Sequence, residues 1–209
     1  MALQGHALHY LDEGSGSPLL LHGNPTWSFL YRHLIWRLRG RFRCIAPDYP
    51  GFGCSRAAAG FGFSPPEYTR LVAQLVRALD LRGLTLLGHD WGGPIGLAAA
   101  QCCPERVAGL VLANTFAWPL NRDPRLVAFS LAAGGPLGDT AIRYGNALVK
   151  LGLPLALQRR CSRSLLAHYR GPFPSPASRE PMRVLARSLL AGWSFLAAVW
   201  RHLDYLIPI

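Results

Sequence analysis

Gly88-His89-Asp90-Trp91-Gly92-Gly93 is the stretch on which the reading of this chain turns. Leu84-Thr85-Leu86-Leu87 leads into it as an apolar, strand-like run. Pro94-Ile95-Gly96-Leu97-Ala98-Ala99-Ala100 leads out as a helix, with proline close to its first position, where a missing N–H costs nothing. Strand, sharp turn and helix with the spacing Gly-x-Asp-x-Gly have the form of a nucleophile elbow, in which glycines let the backbone turn tightly enough to hold one side chain out above a sheet. Here that side chain is a carboxylate, Asp90. Aspartate has an ordinary pKa of about 3.9, so at neutral pH it is already anionic and can attack without a base to activate it. Taken alone, the hexapeptide also fits a glycine-bearing turn whose aspartate caps the helix.

Upstream, residues 7–10 form a short strand closed by the turn cluster Asp12-Glu13-Gly14-Ser15-Gly16. Residues 18–21 are a continuously apolar strand of the kind buried on both faces of a parallel sheet. It ends at His22-Gly23-Asn24-Pro25-Thr26-Trp27, a turn that can set a backbone N–H beside the elbow. Together with the N–H of Trp91 this makes an anion hole, of which Asn24 supplies the other half. Residues 29–38 supply a crossover helix and residues 43–46 the next strand, which exits through the glycine- and proline-punctuated loop 47–55. Asp48 in that loop reads as a turn former and is given no catalytic role. An amphipathic helix at 66–79 precedes the elbow strand, the helix 94–103 follows it, and residues 107–112 form one more buried strand ending at Asn114-Thr115-Phe116.

This alternation predicts an α/β fold, a parallel doubly wound sheet with its site at the carboxyl ends of the strands. Between 118 and 192 no good strand occurs, and helical runs are broken by Pro124, Gly134-Gly135-Pro136, Pro154 and Gly171-Pro172-Phe173-Pro174. We read residues 1–116 as the core, 117–191 as a helical cap that shuts water out above the elbow, and 192–209 as the start of an incomplete C-terminal part of the core. An ordinary all-helical second domain differs from a cap only in where it packs.

Half of the 209 residues are hydrophobic, which suits a folded domain with a substantial core. The formal charge of +11 comes from 22 basic residues, of which Lys150 is the one lysine. They are scattered, and only Arg159-Arg160 with Arg163 is locally dense, so no nucleic-acid partner is expected. Cys44, Cys54, Cys102, Cys103 and Cys161 are an odd count without C-x-x-C spacing and read as reduced thiols of a cytoplasmic protein. No secretory signal opens the chain and no unbroken apolar stretch is long enough for a membrane span.

With these motifs in place the chain resembles a haloalkane dehalogenase of the α/β-hydrolase superfamily. The resemblance rests on residues 22–32, 48–55, 88–93 and 114–119. It implies that Asp90 displaces halide from an sp3 carbon of a small halogenated alkane, giving an ester-linked alkyl-enzyme. It also implies that the side-chain N–H groups of Asn24 and Trp91 hold the departing halide, with no metal and no organic cofactor. The chemistry agrees. An alkyl halide has no carbonyl to become an oxyanion, and amide and indole N–H donors in a dry pocket stabilise a halide without adding a competing nucleophile. Oligomeric state is left open.

Epoxide hydrolases share the elbow but need acids to protonate the opening ring, for which the candidates are Tyr144 and Tyr169; Asn24 favours the dehalogenase, and Asp90 disfavours a serine esterase. Hydrolysis of the ester needs a histidine after the last strand and a second carboxylate. None of His6, His9, His22, His33, His89, His168 and His202 lies in such a turn, and Asn114 occupies one of the two positions open to the acid. The chain thus reads as lacking two strand-helix units, roughly 60 residues. Three expectations follow: an alkyl-enzyme that stalls, a bare apolar sheet edge at 107–112 that invites aggregation, and, as the rival reading, a non-catalytic product of a truncated reading frame.

Overall fold

A computed structural model of the chain describes residues 1–16, 18–120, 123–157 and 162–206. The chain opens with a hairpin, β1 (Ala2–Leu3) and β2 (His6–Ala7), followed by β3 (Tyr10–Glu13). β4 (Pro18–Leu21), β5 (Cys44–Pro47), β6 (Leu84–Asp90) and β7 (Val107–Thr115) complete a five-stranded sheet of order β3-β5-β4-β6-β7. All neighbours run parallel except β3, which lies antiparallel to β5 at one edge.

This corrects the expected start of the chain. The strand is not 7–10, and Asp12 and Glu13 belong to β3 rather than to the turn. An edge strand keeps contact with water, so its acidic side chains need not be turn formers. Here they pair with Arg43 (2.7 Å from Asp12) and Arg39 (3.2 Å from Glu13).

A 3-10 turn (Ser28–Tyr31) runs into α1 (Arg32–Leu38), and α2 (Pro65–Ala78) and α3 (Gly92–Gln101) follow. Successive strand residues face opposite sides of a sheet, and both sides of this one are covered. Leu20 packs with Cys44, Ala46, Tyr31 and Ile35 on the α1 side, while Leu19, Leu21, Ile45 and Leu86 join the α2 and α3 side. α3 is buried along nearly its whole length, as its glycine, alanine and leucine composition dictates.

After β7 the described residues contain helices and no strand: α4 (Pro124–Gly134), α5 (Pro136–Gly145), a π-helical turn (Leu148–Gly152), α6 (Leu153–Ala156), α7 (Arg163–Arg170), α8 (Glu180–Ala191) and α9 (Trp193–Arg201). Arg159, Arg160, Cys161 and the final residues 207–209 lie outside the described residues. Among the described residues no single helix is long and apolar enough to cross a membrane; only 177–191 and 193–201 taken together reach that length, bent by 68°.

Among the described residues β7 pairs with β6 alone. Its consecutive residues Val111 and Leu112 are 45% and 47% exposed, so both faces of its second half are bare. The open apolar edge expected at 107–112 is present.

Candidate active site

The turn from β6 into α3 is tight enough to force Asp90 into the left-handed region, φ 51°. A non-glycine residue there is strained, and such strain gathers at functional sites. Contacts around the turn fix it. A Cβ on Gly92 would lie 2.0 Å from the Leu21 carbonyl oxygen, and a Cβ on Gly23 would lie 2.3 Å from Asp90 Oδ1. Glycine at both positions lets the end of β4 and the turn after β6 approach closely, Gly92 against the Leu21 backbone and Gly23 against the Asp90 side chain. From the other side the Thr115 hydroxyl donates to the Asp90 carbonyl at 2.6 Å.

The Asp90 carboxylate accepts the backbone N–H of Asn24 (2.7 Å, Oδ1) and that of Trp91. The two N–H groups expected to form the anion hole therefore hold the carboxylate itself. Burial pushes this carboxyl up from its ordinary value, while the two N–H donors and the neighbouring His89 hold it back. The start of α3 directly beneath adds the positive end of a helix dipole.

Asp90, Asn24 and Trp91 together line a cavity of about 270 Å³. Its remaining wall is largely apolar: Phe116 beyond β7, Leu126 and Phe129 of α4, Leu148 of the π-helical turn and Leu189 of α8. Helices from the region after β7 thus lie over the elbow. The Asn24 amide nitrogen donates one hydrogen to the Met182 carbonyl (3.0 Å), which leaves its second N–H unspent. The Trp91 indole is buried and meets Phe116 edge-on, with ring centres 5.1 Å apart.

The tyrosines proposed as epoxide-opening acids are not part of this wall. Tyr144 is 64% exposed, and Tyr169 is buried edge-on against Phe29. Asn114 does line the cavity, as an amide. Among the described residues no histidine lines it. His22 is committed elsewhere: Nδ1–H donates to the Gly23 carbonyl (3.0 Å) and Nε2 accepts the Tyr49 N–H (3.0 Å). Burial pushes its pKa down to about 4, so the ring is neutral and braces the loop that carries Asn24.

Asp48, expected only as a turn former, is a fully buried hub. It accepts Ser28 N–H on Oδ1 (2.8 Å), and on Oδ2 both His9 Nδ1 (2.8 Å) and Cys54 N–H (3.0 Å). His9, Asp48 and Cys54 have ligand atoms within 4.8 Å of one another. With both carboxylate oxygens already taken by N–H groups, the cluster ties three loops together and offers a cation little.

Two contributors went unassigned in the sequence. Thr115 stands in the quoted Asn114-Thr115-Phe116 stretch, but nothing local says that its hydroxyl reaches Asp90. Met182 contributes a backbone carbonyl, which leaves no mark on residue type.

Residues 19–186 match the family described as alpha/beta hydrolase fold. The chain is 43% identical over 196 residues to haloalkane dehalogenase 2 of Mycobacterium tuberculosis, covering 93% of this chain and 68% of that protein. It is 35% identical over 185 residues to a cis-3-alkyl-4-alkyloxetan-2-one decarboxylase of Shewanella oneidensis, covering 86% of this chain and 58% of that one. Among solved structures, the haloalkane dehalogenase DbeA of Bradyrhizobium elkani superimposes with a TM-score of 0.86 at 26% identity, over 98% of this chain and 75% of that one.

Proposed function

The chain belongs to the α/β-hydrolase fold family and, within it, to the haloalkane dehalogenases, and on that premise we propose that Asp90 displaces halide from the sp3 carbon of a small halogenated alkane. One carboxylate oxygen forms the new bond to carbon, the carbon–halogen bond breaks, and its electron pair leaves with the halide. No proton moves. The unspent Asn24 N–H and the Trp91 indole N–H receive the halide, and the apolar cavity of about 270 Å³ suits a short alkyl chain. Residues 117–191 act as the cap, 1–116 as the core and 192–209 as the start of its C-terminal part. The free thiols of Cys44, Cys54, Cys102 and Cys103 support a reducing compartment, the cytoplasm.

The observation that carries the reading is Asp90 itself, an anion in a strained left-handed turn with two N–H donors, in the wall of an apolar cavity. Among the described residues no histidine lines that cavity, so base help worth about 10²- to 10⁴-fold in hydrolysis is missing there, and the ester accumulates. The test is intact mass with peptide mapping after incubation with a primary bromoalkane. One alkyl group on the peptide holding Asp90, absent from Asp90→Asn, is the expected result. Folded protein that gains no mass would overturn the reading in favour of a non-catalytic chain.

A further inference from the structure

On the helical layer, outside the Asp90 cavity, a second cavity of about 260 Å³ lies between Asn146 at the end of α5, Lys150 of the π-helical turn, Arg170 at the end of α7, and Phe173 and Arg179 beyond it. We infer that it binds a small phosphate-type oxyanion. All eleven acidic residues of the chain are among the described ones, and none lines this cavity. The three acids of residues 117–191 are spent elsewhere. Asp123 accepts the first N–H groups of α4, while Asp139 and Glu180 both bind Arg183.

Arg179 is the pivot. It is only 9% exposed, and its guanidinium gives Nε–H to the Phe173 carbonyl, two N–H bonds to the Arg143 and Tyr144 carbonyls, and one to Pro174. Four of its five N–H donors are thus used and one is unspent, yet no carboxylate balances the charge. A buried charge without a counter-charge is costly. The carbonyl ends of α5 and α7 offset part of it, about half a charge each, so three cations leave roughly two positive charges. That balance suits a dianionic phosphate, with room for a short organic group beside it.

The test is calorimetric titration of the whole chain with inorganic phosphate and with glycerol phosphate, at ionic strength held constant with sodium chloride. Saturable binding at one site is expected. It weakens at least about tenfold in Lys150→Gln/Arg170→Gln, because hydrogen bonds between charged groups are lost. Arg37→Gln/Arg41→Gln, which removes the same charge from exposed positions near α1, leaves it unchanged. Tighter binding of glycerol phosphate identifies a phosphate monoester as the ligand, and equal binding identifies free phosphate; either supports the site. Heat that follows ionic strength alone, or equal weakening in both double variants, overturns it.

Discussion

Replacing Gly23 by alanine should disable Asp90 without touching it chemically. The added methyl carbon would lie 2.3 Å from Asp90 Oδ1 and 2.4 Å from Asp90 Cβ. Carbon atoms at rest sit roughly 3.5–4.0 Å apart, so about 1 Å of displacement must be found. Asp90 is a poor place to find it by rotation, because its carboxylate is tied to the Asn24 and Trp91 N–H groups and its carbonyl to Thr115. The turn cannot retreat either, since the Gly92 backbone already lies against the Leu21 carbonyl. A nucleophile misplaced by about 1 Å loses roughly 10²-fold in rate, or about 2.7 kcal/mol in the barrier. Overpacking costs a further ~1–3 kcal/mol in stability, so the assay belongs well below the melting temperature. The measurement is the initial rate at which the mass of one alkyl group appears on the chain. Gly40→Ala is the control, because a Cβ there meets nothing within 4 Å. If folded Gly23→Ala alkylates within about threefold of the parent chain, less than about 0.7 kcal/mol, the close approach does not position the nucleophile.

His22 makes stability pH-dependent. Its folded pKa of about 4 lies below the ordinary 6.5, so its contribution is complete above pH 6.5 and drains away toward pH 4, by about 3 kcal/mol at 1.36 kcal/mol per unit. The raised Asp90 carboxyl works with the opposite sign, its cost vanishing as it takes up a proton. Urea unfolding is therefore compared between Asp90→Asn and Asp90→Asn/His22→Gln, and parallel pH profiles would refute the assignment. Asp48→Asn leaves the N–H groups of His9, Ser28 and Cys54, of which only that of Ser28 is fully buried, competing for one carbonyl. It should cost about 1.5–3 kcal/mol, the worth of hydrogen bonds to a charged acceptor, or roughly 5 °C in a thermal melt, and a drop under about 2 °C would count against the hub. Leu112→Lys, placed on the bare half of β7, should slow aggregation measured by light scattering; an unchanged rate would mean that this edge is not where chains meet.

The elbow was legible because its requirement is local and steric: glycines on either side of one polar residue, after an apolar run. The His22-Gly23-Asn24 turn was legible for the same reason, and the two meet as expected. Beyond such motifs the sequence says less. β3 carries Asp12 and Glu13, whose partners Arg39 and Arg43 come from outside the strand, so turn-forming residue types at 12–16 place the strand at 7–10 and hide its true end at Glu13. The Asp48 hub joins groups at positions 9, 28, 48 and 54, and no window along the chain contains that geometry. Tyr144 and Tyr169 had the right side chains in the right region, but a helical layer offers many directions in which to point.

The clamp on the Asp90 carbonyl comes from Thr115, the last residue of β7, and among the described residues β7 is held by ladder bonds on one side only. Hydrogen-bonded strands with bare neighbours open first in native-state fluctuations. Each opening of the strand's end releases the turn that carries the carboxylate, so the time the strand spends closed sets the fraction of molecules poised to react. Reactivity at Asp90 and hydrogen-exchange protection along β7 are then two readouts of one equilibrium, and whatever steadies that strand raises both.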